Sequence, residues 1–161
     1  LGWQSISRGM EPLPEITEQG AGGYTIGEST IDHPNLVGMQ GADNLIKDDA
    51  GWHVQYDNDK RIKAVCFNGS FQGMRITFNG RTVELAESPS AQELAREFDG
   101  LNRVFSQSVW DSTDWYTLRF ETQQGDRALE FVFNTASSSL RWIRLLDTVD
   151  EPKSPDPEDF D

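Results

Sequence analysis

Catalytic signatures are what this chain most plainly lacks. It contains no GxGxxG, no P-loop and no GxSxG, so neither a phosphate-cradling loop nor a nucleophile elbow offers a starting point for an activity. Its single cysteine, Cys66, excludes an internal disulfide and leaves the redox compartment unassigned. That residue lies in the apolar run AVCF, where a thiol acts as a small buried hydrophobe, and the sequence nominates no base to make it a nucleophile. The two histidines, His33 and His53, stand outside any HxxxH, HxH or Cys/His cluster, which argues against a transition-metal site. His53 alternates with Trp52 and Val54 and is expected on a solvated strand face. The carboxylates at Asp48 and Asp49 and in the Asp57-Asn58-Asp59 turn lack the ligand spacing of a calcium loop, so no cofactor or metal is expected. No apolar run reaches the roughly 18 residues that a membrane-spanning helix needs.

Positive charge is scarce as well. Fourteen Lys and Arg face 27 Asp and Glu, a net charge of −13 that repels nucleic acid and anionic membrane surfaces and attracts a basic protein. What the chain does have is aromatic content, with nine Phe and five Trp in 161 residues. That supports one core, because a chain of this size buries about 70% of its unfolded surface in a single domain. The first residue is Leu1 rather than Met, which fits a trimmed or processed N-terminus. Secretion is therefore open, with a periplasmic protein tethered as a lipoprotein as one expectation and a cytoplasmic protein as the alternative.

Three segments follow from composition. Residues 1–23 combine two prolines with the Gly20, Gly22 and Gly23 cluster and are expected to form an N-terminal arm or tether. Residues 150–161 carry three prolines and a dense set of carboxylates and are expected to form a disordered acidic tail. A single α+β domain is expected between them, over 24–149. Its clearest local signal is MRITFNGRTVEL, in which Asn79-Gly80 supplies the two left-handed positions of a type I′ turn. Pairing outward from that turn sets Phe78 opposite Arg81, Thr77 opposite Thr82, Ile76 opposite Val83 and Arg75 opposite Glu84. In SPSAQELAREFDG, Ala91, Leu94, Ala95 and Phe98 recur at helical spacing behind a Ser90/Glu93 capping box, with Gly100 placed to end the helix. Strands are expected near 24–26, 30–32, 52–57, 61–67, 103–109, 115–121, 127–134 and 140–146, and a loop with one helical turn over 33–50. The fold class is thus a mainly antiparallel β-sheet of hairpins with one short helix. An echo between GWHVQYDNDKRIKAVCF and DWYTLRFETQQGDRALEFVF suggests two unequal hairpin repeats, 24–67 and 74–146. Strand parity matches Trp52 with Tyr116, Val54 with Leu118 and Tyr56 with Phe120.

The same parity selects the candidate binding residues. Tyr116, Leu118 and Phe120 share an apolar face, so Trp115, Thr117, Arg119 and Glu121 share the other. Ile143 and Leu145 likewise leave Trp142 and Arg144 opposite them, and Trp110 lies in or beside a connection. Trp with Arg on the polar side of a sheet is the composition of an interface anchor. Trp110, Trp115, Arg119, Glu121, Trp142 and Arg144 are therefore the partner-binding candidates. The alternative is that the helix or the N-terminal arm covers that face and makes a second core of it.

Small size, acidity, a Gly/Pro-rich tether and the order ITFNGRTVEL, helix, WYTLRFE, LEFVFN over about 74–146 resemble immunity proteins that neutralise toxins of competing bacteria, such as type VI secretion effectors. The same order is similar to tandem-repeat lipoproteins and to proteins of the β-lactamase-inhibitor type. The resemblance implies a non-enzymatic, stoichiometric inhibitor that plugs an effector's active site, with no functional residue to transfer. Two other readings stand beside it: an envelope lipoprotein that stacks glycan on exposed Trp residues, and a hydrolase built on a carboxylate pair.

Overall fold

The computed structural model describes residues 14–41, 44–98, 102–110 and 113–155. Among them the chain forms two β-sheets and one helix. The small sheet contains β1 (Glu15–Ile16), β2 (Gly20–Ala21), β3 (Tyr24–Thr25), β8 (Arg75–Phe78) and β9 (Arg81–Glu84), in the order β3-β2-β1-β8-β9. The large sheet contains β4 (Val37–Gly41), β5 (Leu45–Lys47), β6 (Trp52–Tyr56), β7 (Ile62–Phe67), β10 (Asn102–Trp110), β11 (Thr113–Glu121), β12 (Arg127–Asn134) and β13 (Leu140–Asp147). Its order is β10-β11-β12-β13-β7-β6-β5-β4, two antiparallel meanders joined by the antiparallel pair β7-β13. The helix α1 spans Ala91–Glu97, and all strand pairings but one, β1 beside β8, are antiparallel. The fold is therefore mainly antiparallel β-sheet with one short helix.

Local chemistry explains most of these elements. Asn79 and Gly80 take φ of 50° and 79°, the left-handed pair that closes a two-residue hairpin with the right twist. The expected register holds at Phe78↔Arg81, Thr77↔Thr82, Ile76↔Val83 and Arg75↔Glu84. The Ser90 hydroxyl accepts from the Glu93 amide and starts α1, which is too short to persist alone and docks Leu94 and Phe98 into the core. The Phe98 ring lies 5.1 Å from Phe120 and 6.0 Å from Phe131. Gly100 lies outside the described residues.

The N-terminal third departs from expectation. Gly22 and Gly23, read as part of a tether, have φ of 62° and 89° and form the β2-β3 turn, so the first hairpin sits several residues earlier than 24–32. Gly22 closes directly on the indole of Trp52: a Cβ there would lie 2.4 Å from the ring. Residues 30–32 form a 3-10 turn rather than a strand, because the Ser29 hydroxyl accepts from the Ile31 amide and caps it. The expected loop over 33–50 contains β4 and β5. Pro14 to Gly23 belong to the small sheet, where Ile16 is 1% exposed, while residues 1–13 lie outside the described part.

One core fills the space between the sheets. It draws Ile16, Tyr24, Ile76 and Phe78 from the small sheet, Leu94 and Phe98 from the helix region, and the inward residues of β6, β7, β11, β12 and β13. Trp52, Val54, Leu118 and Phe120 all lie in it. Facial parity is therefore as expected, although the echoed segments align β6-β7 with β11-β12. In the sheet, β6 and β7 are the third and fourth strands of their meander, whereas β11 and β12 are the second and third of theirs.

Candidate functional site

The outer face of the large sheet, turned away from this core, carries the candidates. Alternation on β11 puts Trp115, Thr117, Arg119 and Glu121 outward; on β13 it does the same for Trp142, Arg144 and Leu146. Register then sets residues side by side. Arg119 stands opposite Glu130, Glu130 opposite Arg144, Arg144 opposite Cys66, and Cys66 opposite His53, a continuous row across five strands. The neighbouring row runs Glu121, Ala128, Leu146, Ala64 and Gln55.

The rows are buried apart from their β11 ends, Arg119 and Glu121, which are partly covered. Arg144 is 2% exposed and Gln55 0%. The Arg144 guanidinium donates to Glu130 at 2.9 Å through Nε and to the Gln55 side-chain oxygen at 2.8 Å through Nη1. Arg119 donates to Glu121 at 3.0 Å and Glu130 at 3.1 Å, and also pairs with Glu151. Burial alone would lower the Arg119 pKa, but hydrogen bonding and charge from Glu151 and Glu130 outweigh it and hold the guanidinium charged. Cys66, between Arg144 and His53 in this row, is fully buried; desolvation pushes its thiol up to about 12, Arg144 opposing and Glu130 adding.

The expectation of exposed anchors is corrected here. Trp115 and Trp142 are 6% and 3% exposed and pack on Val132, with ring centroids 5.7 Å apart, as a small second core. His53 is buried rather than solvated. Glu121 and Arg119 are partly covered, and Trp110 closes β10 with its side chain outside the described part. Among the described residues, the contacts across the charged rows come from the segment after β13. Asp150 adopts φ 49° and the chain turns back across the sheet, where the carbonyl oxygen of Lys153 accepts from Gln55 at 2.7 Å and from Arg144 at 3.3 Å. Arg144 also donates to the Pro152 carbonyl at 3.1 Å, and Pro155 is buried. Residues 150–155, expected to be disordered, are thus an ordered strap; 156–161 lie outside the described residues.

Three members of the site were not nominated: Gln55, Glu130 and Glu151. Glu130 had a signal, since it is the one charge within ALEFVF and the turn at Gln123 to Gly125 places it opposite Arg119.

A second polar cluster lies at the first hairpin. The Tyr24 hydroxyl donates to Asp48 at 2.6 Å and accepts from Asn35 at 2.9 Å, while His33 Nε2 meets Glu28 at 2.6 Å. The Tyr24 and His33 rings meet edge-on at 4.8 Å. Desolvation and Asp48 raise the Tyr24 pKa well above its usual range. Slight desolvation of Glu28 is outweighed by the Thr25 amide and His33, which hold its carboxyl below the usual range. Glu28 bonds both Thr25 and His33, so the cluster ties the 3-10 loop to β3. Among the described residues no group of three His, Cys, Asp or Glu side chains is placed to hold a metal, and no helix is long and apolar enough to cross a membrane.

No family model and no curated protein matches the chain. Among solved structures, the chain is similar to YjgB, a DUF4309 family protein from Bacillus subtilis subsp. subtilis str. 168, at 17% identity and a TM-score of 0.50. The match covers 80% of this chain and 84% of that one. At that identity the likeness is one of fold.

Proposed function

We propose that this chain is a non-enzymatic binding protein whose partner is a basic protein, in the manner of an immunity protein that neutralises a bacterial toxin in the periplasm. The observation that carries the reading is where the charges go. Arg119, Arg127, Arg144 and Lys63 are held in ion pairs with the chain's own carboxylates. Among the described residues the exposed carboxylates without an ion-pair partner, Glu15, Asp32, Asp49, Asp59, Glu84, Glu87, Glu93, Glu97, Asp126 and Asp150 among them, outnumber the exposed cations in the same state, Lys47, Lys60, Arg61, Arg75, Arg81, Arg96 and Lys153. Together with the net charge of −13 this favours fast, salt-dependent capture of a cationic surface. Burial of Trp115 and Trp142 weighs against the glycan-stacking alternative. The carboxylates gathered on the outer face, Glu121, Glu130 and Glu151, are each engaged by Arg119, which weighs against a carboxylate-pair hydrolase. We also infer that the α+β chain arose from two unequal units, each a hairpin with consecutive left-handed turn residues followed by a four-stranded meander.

The test is co-expression with the product of a neighbouring gene that encodes a larger secreted toxin. The reading expects rescue of growth and a stoichiometric complex whose affinity falls by roughly tenfold or more from low to high salt. Absence of binding by any neighbouring product, or binding indifferent to salt, refutes it.

A further inference from the structure

Covering a sheet with a charged row and a short strap is an expensive choice. Apolar residues in place of a buried ion pair are often as stable or more so, so stability alone gives no reason to keep Arg119, Glu130 and Arg144 there. What the row supplies is a fixed set of donors. Arg144 is held by Glu130 at 2.9 Å and by the Gln55 oxygen at 2.8 Å, which leaves Arg144 Nη1 and the Gln55 amide directed at main-chain carbonyls. In the adjacent row the fully buried Ala64 and Ala128 stand on either side of Leu146, and the two small side chains let a backbone approach the sheet beside that leucine. Arg119 adds a carboxylate contact at Glu151, which is itself exposed.

We propose that this strip is a peptide-binding site, filled in cis by Glu151–Lys153, and that it accepts in trans an extended segment of another protein that carries a carboxylate. The ligand it fits has a carboxylate followed by two residues whose main-chain carbonyls are free to accept. Reading carbonyls makes the site tolerant of side chains at those two positions, and a proline at the first removes an amide that would need a partner. The strap is tethered through exposed Val149 and Asp150, so it competes at an effective concentration on the order of millimolar. Binding in trans is weak until the cis contact is lost. This site is independent of the charge-steered capture proposed above, and its test involves no toxin.

Glu151→Lys in the full chain sets an ammonium against Arg119 and leaves the buried row intact. The probe is the synthetic peptide Ac-VDEPKSP-NH2, titrated while the NMR resonances of Arg144 Nε–H and the Gln55 amide are followed. Saturable shifts of both are expected in the variant, with binding at least roughly tenfold weaker in the unmodified chain and lost when the peptide's Glu is replaced by Gln. If Glu151→Lys disturbs the fold by circular dichroism, Glu151→Gln must show the same ordering with a smaller gap. A folded variant whose two resonances ignore millimolar peptide, or equal binding by both proteins, overturns the proposal. So does a concentration-dependent dimer of the unmodified chain that moves the same resonances, since that assigns the strip to strap exchange between copies.

Discussion

Replacing Arg144 by Met tests whether the outer row is the electrostatic keystone of the large sheet. The substitution keeps an unbranched side chain of similar reach but removes the donors to Glu130, Gln55, Pro152 and Lys153. Breaking a buried ion pair from one side costs about 3–5 kcal/mol, because the remaining charge stays desolvated. Glu130 keeps Arg119 at 3.1 Å, so the lower end applies, about 3 kcal/mol. For a chain of this size that corresponds to roughly 6–12 °C in Tm, a large part of a typical folding free energy of about 5–15 kcal/mol. The double variant Glu130→Leu/Arg144→Met removes both charges and is expected to recover at least about 1 kcal/mol relative to the single change. Urea unfolding followed by tryptophan fluorescence reads both. A single-variant cost below about 1 kcal/mol, or additive losses in the double, refutes the argument that the row is desolvated and mutually compensating.

Gly22→Ala meets the Trp52 ring and a left-handed backbone, so a loss of about 2 kcal/mol or more is expected in urea unfolding, while Gly23→Ala, with open space around it, loses less. Ser90→Ala removes the α1 cap and is expected to cost about 1 kcal/mol by the same measurement. The Cys66 thiol stands at about 12 when folded against 9.0 as its ordinary value. The folded state therefore holds a proton that the unfolded state loses, and stability falls as pH rises from 9 towards 12, by up to about 1.4 kcal/mol per unit, with no effect below that window. Cys66→Ala should flatten that slope in pH-dependent unfolding, leaving a residual decline from Tyr24. A thiol reagent should label Cys66 only at the rate of unfolding.

Facial parity was legible in the sequence because alternation is a two-residue pattern carried by each strand alone. It placed Trp115, Arg119, Trp142 and Arg144 on one surface and Leu118, Phe120, Ile143 and Leu145 on the other. Exposure was not legible, because cover comes from elsewhere in the chain. The strap over Arg144 is acidic and proline-rich, a composition that signals disorder when local, and its contacts run through backbone carbonyls that no side-chain pattern reveals. The hairpin at Asn79-Gly80 was readable because its strands are long enough to show alternation. The one at Gly22-Gly23 was not, since β2 and β3 have two residues each and the same glycines fit a flexible linker.

The seam between the two halves runs through both sheets, β1 beside β8 in one and β7 beside β13 in the other. During synthesis, β7 (Ile62–Phe67) must wait for the whole second meander, up to β13 (Leu140–Asp147), before its partner leaves the ribosome. Until then its run Ile-Lys-Ala-Val-Cys-Phe presents an apolar open edge to any neighbouring nascent chain. Truncation before β13 therefore removes more than a strand: it turns the centre of the large sheet into an aggregation template.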